Sequence, residues 1–294
     1  GAVKSPMVGT AFTAPEPGAA PFVAVGDAVA AGDTVTGVVR SEPSAAKVRA
    51  VGAHALIVDL DADVLDLPAC DRLFYFAPPQ REGDTDTRMA RVLHAIDSVP
   101  TYTVYISTSG VYGDCGDAWV DETRPVNAES ERAKRRVDAE RQMLEFSPQA
   151  RVLRAPGIYG PNRLPVERVQ EGTPILNDTD GGWSNRIHID DLATIAWLAG
   201  TQALTHNIYN ASDGHPTGLS VYYDTLADML GVSPPPRISW AEAEQRFSAM
   251  RLSFLRESRR LSNQRLRDDM GYELAFADFH DGLAASLKAE PPLD

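Results

Sequence analysis

Cysteine is the scarcest signal in this chain: Cys70 and Cys115 are the only two among 294 residues. Two thiols cannot build a disulfide framework, and no Cys/His spacing here would make a zinc site, so no metal is expected and a reducing, cytoplasmic setting fits best. No apolar run reaches the roughly 18 to 20 residues needed to span a bilayer. The first residues also lack a basic region followed by an apolar signal core. A membrane partner is therefore not expected. Positive charge is in deficit too, with 28 Lys and Arg against 41 Asp and Glu, for a net charge of −13. That balance repels phosphate backbones and anionic membrane surfaces, which argues against nucleic acid as a partner. Repeats and low-complexity tracts are absent.

What is present suits a globular protein. Apolar residues make up 43% of the chain, enough for a large core, and the length fits one large domain with a smaller one attached. Met7 and Val8 close a first strand, after which Pro15 and Pro17 forbid regular structure. Residues 19–31 read as a helix, with Pro21 in its first turn and Phe22, Val25 and Val29 at helical spacing. A strand, a loop bounded by Gly9 and Gly18, and a helix is the order a dinucleotide site requires, because helix N-terminal amides hold a pyrophosphate. A surface loop with no ligand explains the same residues.

The second strand ends at Arg40 and Ser41. A carboxylate there would bind the ribose hydroxyls of NAD, whereas a guanidinium with a hydroxyl suits a 2′-phosphate, so NADP is expected over NAD if either binds. An exposed arginine at a strand end is the alternative. Residues 55–60 form a third strand reaching Asp59 and Leu60, and residues 72–76 a fourth, stopped by Pro78 and Pro79. A helix over 87–98 buries Met89, Val92, Leu93 and Ile96. The fifth strand begins at Val104 and ends in hydroxyls, Thr108 and Ser109, with Tyr112 close behind. Ligands in open α/β sheets bind outside the carboxyl ends of strands, although a Ser/Thr-rich strand end also serves turns and caps. A helix over 128–146 puts Ser130, Lys134, Val137, Arg141 and Leu144 on one face. Arg132, Arg135 and Arg136 are expected in solvent.

Later segments repeat the pattern. Arg151 to Arg154 is a sixth strand, and Asp190 or Asp191 caps a helix ending near Gly200. His188 lacks a second ligand at helical spacing and is expected in a structural hydrogen bond. A helix over 220–230 is capped by Ser220 and stopped by Gly231. Ser262 or Asn263 caps a further short helix.

Five linked stretches carry a family resemblance. They are Ser107-Thr108-Ser109-Gly110-Val111-Tyr112-Gly113, Asp121-Glu122-Thr123-Arg124-Pro125 with a lysine nine residues on, Leu153 through Pro161, Arg186 through Leu192, and Ser262-Asn263-Gln264-Arg265-Leu266. In this order the chain resembles the extended and atypical branch of the short-chain dehydrogenase/reductase superfamily, which includes nucleotide-sugar epimerases and dehydratases. The resemblance implies a Rossmann-like doubly wound parallel sheet with a smaller C-terminal α/β substrate domain. The dinucleotide-binding part would be 1–160 plus 186–212, and the substrate part 161–185 plus 213–294. It further implies Asp59 and Leu60 beside an adenine, Ala77 and Pro78 along the cofactor's ribose and phosphates, and Pro156 and Gly157 over the nicotinamide. Thr108 and Ser109 would stand at the reacting centre and Lys134 on the nicotinamide ribose. Tyr112, Asn185 and Arg186 would meet the substrate, and a homodimer would pack through the helices after the fourth and fifth strands.

Two departures qualify the resemblance. The family's catalytic tyrosine precedes its lysine by four residues, where this chain has Ser130. A serine hydroxyl is far less acidic than a phenol and cannot act as its acid or base. Tyr159 is the surrogate phenol on offer, although its place in the motif matches an ordinary structural tyrosine. The usual G-x-x-G-x-x-G turn is also missing from Gly9 to Gly18. The expected function is an NAD(P)-dependent oxidoreductase or epimerase-like enzyme for a small anionic or sugar-like metabolite. The alternative is a redox-lapsed member that senses dinucleotide, or uses the pocket without cofactor for isomerisation, cyclisation or dehydration.

Overall fold

The computed structural model describes residues 34–289 and the backbone of strand 6–10. The helix expected over 19–31 and the expected cofactor residue Gly18 lie outside the described residues.

Seven strands form one sheet: β1 (Pro6–Thr10), β2 (Thr34–Val39), β3 (His54–Ile57), β4 (Arg72–Tyr75), β5 (Tyr102–Thr108), β6 (Ala150–Ala155) and β7 (Ile208–Asn210). Their order is β7-β6-β5-β4-β1-β2-β3, with every neighbouring pair parallel. β1 lies between β2 and β4, so the chain winds outward in both directions from it. A crevice at the carboxyl ends belongs at such a reversal.

Strands of this sheet are covered on both faces, which is why β6 is buried along its whole length and β5 along its interior. Alternation sorts their side chains. Leu73, Tyr75, Tyr105 and Val152 face one core, completed by Met89 and Met143. Those two come from helices α2 (Thr87–His94) and α3 (Glu131–Phe146), which follow the first helix, α1 (Glu42–Ala50). Phe74, Val104 and Leu153 face the opposite core, where Leu192 and Ile195 arrive from α4 (Ile189–Ala199). The sheet is thus doubly wound, as the resemblance implied.

Several boundaries differ from the sequence reading. α1 was not anticipated. Pro43 sits in its first turn, and Val48 packs over Gly37, where an added Cβ would come within 2.9 Å of Val48 Cγ1. α2 stops at His94, four residues early, and the Asp86 carboxylate caps it by accepting from Met89 N–H at 2.9 Å. α4 is capped by His188 rather than by either aspartate, with Nδ1 accepting from Asp190 N–H at 3.3 Å. The hydrogen bond expected of His188 is therefore present. α5 (Leu219–Leu230) starts one residue before Ser220 and takes Gly218 as its N-cap, while Gly231 ends it in the left-handed region as expected. Asn263 stands at the N-cap of the helix Gln264–Met270, but it is Ser262 Oγ that accepts, from Gln264 N–H at 3.3 Å.

Outside the main sheet lie four two-stranded ladders. Tyr159, Val169 and Leu226 make a separate core with Phe279 and Leu283 of α6 (Phe279–Ala289). Leu266 and Met270 instead join the core of the main sheet. One ladder positions the site: Trp119–Val120 pairs in parallel with Arg260–Leu261, bringing a late segment against the loop after β5. Among the described residues no helix is long and apolar enough to cross a membrane.

Candidate functional site

β5 ends at Thr108, whose Oγ1 accepts from Gly110 N–H at 3.1 Å and starts a short turn through Ser109 to Tyr112. The three consecutive hydroxyls diverge. Ser107 is buried and donates to Glu140 Oε1 at 2.6 Å, and that carboxylate is gripped by Arg154, whose Nη2 lies 2.7 Å from Oε2. Ser109 is buried against Arg259. Only Thr108 is partly open. Tyr112, expected to meet substrate, is buried. Its phenol donates to Asn210 Oδ1 at 2.8 Å and its ring lies under the Arg154 guanidinium.

α3 corrects the central expectation. Ser130 lies before the helix as its N-cap, with Oγ accepting from Ala133 N–H at 3.2 Å, so it shares no helical face with Lys134. Lys134 is exposed, stands 3.6 Å from Asp84, and lines a groove with Val126, Val137, Asp138 and Arg141. Among the described residues no hydrogen bond or ion pair joins it to Thr108. The arginines expected in solvent turn inward instead. Arg136 donates to the Tyr105 phenol at 2.9 Å and to Ile106 O at 3.2 Å, and Arg135 is buried, donating to Gly83 O. The cause is the helix's register. Ala133, Arg135, Ala139, Glu140 and Met143 are its buried positions, which leaves 134 on the flank and places 136 beside the end of β5.

The groups that approach the turn after Thr108 come from the late segment and were missed by sequence reasoning. Arg259 is buried; it donates through Nε to Gly113 O at 3.1 Å, through Nη1 to Ser109 Oγ at 3.4 Å, and through Nη2 to Glu257 Oε2 at 2.5 Å. Glu257 Oε2 and Thr108 Oγ1 flank Gly110: they lie 3.6 and 3.5 Å from the point a Cβ there would occupy. The Arg132 guanidinium lies 3.6 Å above the Phe254 ring. Burial and the neighbouring Arg135, Arg136 and Arg259 lower its pKa, while Glu257 acts in the other direction. Ser258 ties the segment down, since its O accepts from Cys115 N–H and its N–H donates to Asp114.

Asn185 and Arg186 are buried and do not reach this crevice. Asn185 clamps the late segment, donating to Arg259 O at 2.9 Å and accepting from Leu261 N–H at 2.8 Å. Arg186 donates to Thr217 Oγ1 at 2.7 Å and lies over the rings of Tyr222 and Phe279. Tyr159 is packed against His188 and Tyr222, its pKa raised by burial, so it serves as a structural residue and not as a surrogate phenol. Beside these residues Asp213 is buried, which raises its pKa to about 7.

The expected cofactor residues line the carboxyl side of β1 to β4 and β6. Gly9, next to last in β1, pairs between Gly37 and Phe74. Arg40 is exposed, and Ser41 Oγ donates to Ser44 Oγ at 3.1 Å. Asp59 Oδ1 is taken by Asp61 N–H at 2.9 Å, while Leu60 and Ala77 are buried. Pro78 O accepts from Arg88 at 2.5 Å. Gln80 Oε1, two residues on, is buried without a hydrogen-bond partner. Pro156 is half-buried and Gly157 exposed. On the other side of Phe254 a cavity of about 220 Å³ is lined by Arg168, Leu219, Tyr223, Arg251 and Leu255. Arg251 stacks on Phe247 there, and burial with the like charge of Arg168 lowers its pKa.

This arrangement has counterparts. A conserved protein of unknown function from Silicibacter pomeroyi superposes with a TM-score of 0.82 at 24% identity, over 98% of this chain and 99% of that one. The UDP-glucuronic acid 4-epimerase of Bacillus cereus, in complex with UDP-glucuronic acid and NAD, superposes with a TM-score of 0.70 at 14% identity, over 96% and 98%. The chain has the doubly wound fold of these proteins. In sequence it is 28% identical over 183 residues to protein YeeZ of Escherichia coli K12. That match spans 60% of this chain and 65% of the length of YeeZ. No family model matches. At the carboxyl end of β5 this chain carries Thr108, with Glu257 beside Gly110 and Arg259 on Ser109.

Proposed function

We propose that this chain is an epimerase-like oxidoreductase that uses a nicotinamide dinucleotide and acts on a small anionic, sugar-like metabolite. The observation that carries the reading is that Thr108 Oγ1 and Glu257 Oε2 flank Gly110 at the carboxyl end of β5, beside the reversal of strand order at β1. Oxidising an alcohol requires a place for the hydroxyl proton. Thr108 orients the reacting oxygen, and the Glu257 carboxylate takes the proton that the absent phenol would have taken. When bound, the nicotinamide supplies the hydride acceptor. Two features fit a dinucleotide: Arg40 has no ion-pair partner among the described residues, and the buried Gln80 Oε1 lacks the donor a ribose hydroxyl would provide. Arg40 with Ser41 favours NADP over NAD. The cavity holding Arg168 and Arg251 suits the anionic tail of the substrate, within a substrate part of residues 161–185 plus 213–294. A homodimer through α2 and α3, in a reducing cytoplasm, completes the proposal.

Fluorescence titration with NADPH and NADH tests the cofactor. NADPH should bind more tightly, and Arg40→Ala should remove the preference, by roughly tenfold for one lost charge-assisted contact. Proton NMR of UDP-glucuronic acid, the ligand of the Bacillus cereus epimerase, in the presence of NADP tests epimerisation, and absorbance at 340 nm tests net oxidation. A second reading, a binding protein whose redox chemistry has lapsed, draws on the exposed Lys134 and on Ser130 serving as a cap. Binding without turnover on any nucleotide sugar would favour it, and absence of binding would reject both cofactor readings.

A further inference from the structure

We infer that the crevice at the end of β5 holds a planar carboxylate of its ligand against Arg132, so that the substrate carries a carboxylate at its reacting end. The inference rests on the reading of this crevice as the substrate's reacting end, and it is independent of the cofactor. Each neighbouring arginine is already committed: Arg135 to Gly83 O and Glu131, Arg136 to Tyr105 and Ile106 O, and Arg259 to Gly113 O, Ser109 and Glu257. Arg132 makes no hydrogen bond or ion pair among the described residues. Its guanidinium lies against the Phe254 ring, with Cζ 3.6 Å from the ring centroid, and the Glu257 carboxylate acts on it.

That stacking decides the geometry. One face of the guanidinium is covered by the ring, so its N–H groups project from the edge in a single plane. A coplanar fork of this kind matches the two oxygens of a carboxylate. The electrostatics agree, for a half-buried cation among three like charges is stabilised by an anion. Glu257 cannot supply that anion in full, because its Oε2 is taken by Arg259. Arg132 also lies in the first turn of the 16-residue α3, where the helix dipole favours negative charge. Bound there, a carboxylate would lie beside Thr108 and Glu257, separated by Phe254 from the cavity of Arg168 and Arg251. The ligand is therefore anionic at two places, and Arg132 discriminates at the reacting one.

Calorimetric titration of the full chain with oxalate tests this. Wild type should bind with a dissociation constant in the region of 1–10 mM, a value of the order expected for one bidentate contact. Arg132→Gln should weaken oxalate at least tenfold, with an unchanged circular dichroism spectrum and melting temperature. Arg132→Lys should fall between, since it keeps the charge and loses the fork. Glu257→Gln should strengthen binding by removing a repelling carboxylate. An Arg267→Gln control, which alters an exposed arginine on the helix Gln264–Met270, should leave oxalate binding intact. No oxalate binding by wild type, or oxalate bound by Arg132→Gln as tightly as by wild type, would overturn the inference. Parallel NADPH titration reports on the cofactor reading separately, so either can fail alone.

Discussion

Asp213→Asn is a perturbation whose sign and size follow from the structure. Asp213 is buried; its Oδ1 accepts from His215 N–H at 2.9 Å and its Oδ2 has no hydrogen-bond partner. Facing it are Arg186, which favours the charged form, and Asp191 and Asp278, which oppose it. Burial dominates and raises the carboxyl from the ordinary 3.8 to about 7. The folded state therefore holds its proton more tightly than the unfolded state. The associated stability is fully present below pH 4 and is lost as pH rises through 7. The whole loss is about 4 kcal/mol, of which about 2.5 kcal/mol falls between pH 5 and pH 8. Asparagine keeps the acceptor for His215 and cannot ionise. In urea unfolding at pH 5 and pH 8, the stability advantage of Asp213→Asn over wild type should grow by about 2.5 kcal/mol at the higher pH. Taking the difference between the two proteins cancels every other titrating group. An advantage constant to within about 0.5 kcal/mol across that range, the usual scatter for unperturbed positions, would refute the reasoning.

Three further substitutions test how the site is held. Glu140→Ala leaves Arg154 buried and unpaired and deprives Ser107 of its acceptor, so unfolding free energy should fall by about 3–5 kcal/mol in chemical denaturation. Lys134→Ala and Ser130→Ala separate this chain from a tyrosine-lysine enzyme. The exposed lysine should cost under about 1 kcal/mol and leave NADPH affinity unchanged. Loss of the Ser130 cap should cost about 1 kcal/mol, again with cofactor affinity unchanged. A tenfold drop in NADPH affinity in either variant would return them to the site.

The sheet was legible because strands buried on both faces write themselves as apolar runs: Leu73 to Phe76 and Val104 to Ile106 need no tertiary information. α1 was not, since Glu42, Lys47 and Arg49 dilute its short apolar face and only Pro43 marks its start. The face of α3 could be misread for a related reason. Its inward positions include Glu140 and Arg136, whose partners Arg154 and Ile106 lie on other strands, and charged residues read locally as solvated. Beginning that helix at 128 also moved Ser130 from cap to interior. Glu257 and Arg259 had no local signal at all. Arg259 meets Ser109 across 150 residues of chain, and only the ladder between Trp119–Val120 and Arg260–Leu261 makes them neighbours.

That ladder has a consequence for how the molecule matures and fails. A ribosome-bound nascent chain that has emerged through β6 owns its hydroxyls and Arg132 yet lacks the base, and becomes competent only when the segment carrying Glu257 and Arg259 docks. A protease cut in the exposed helix carrying Met250 and Phe254 would then abolish ligand recognition while the seven-stranded scaffold still melts cooperatively.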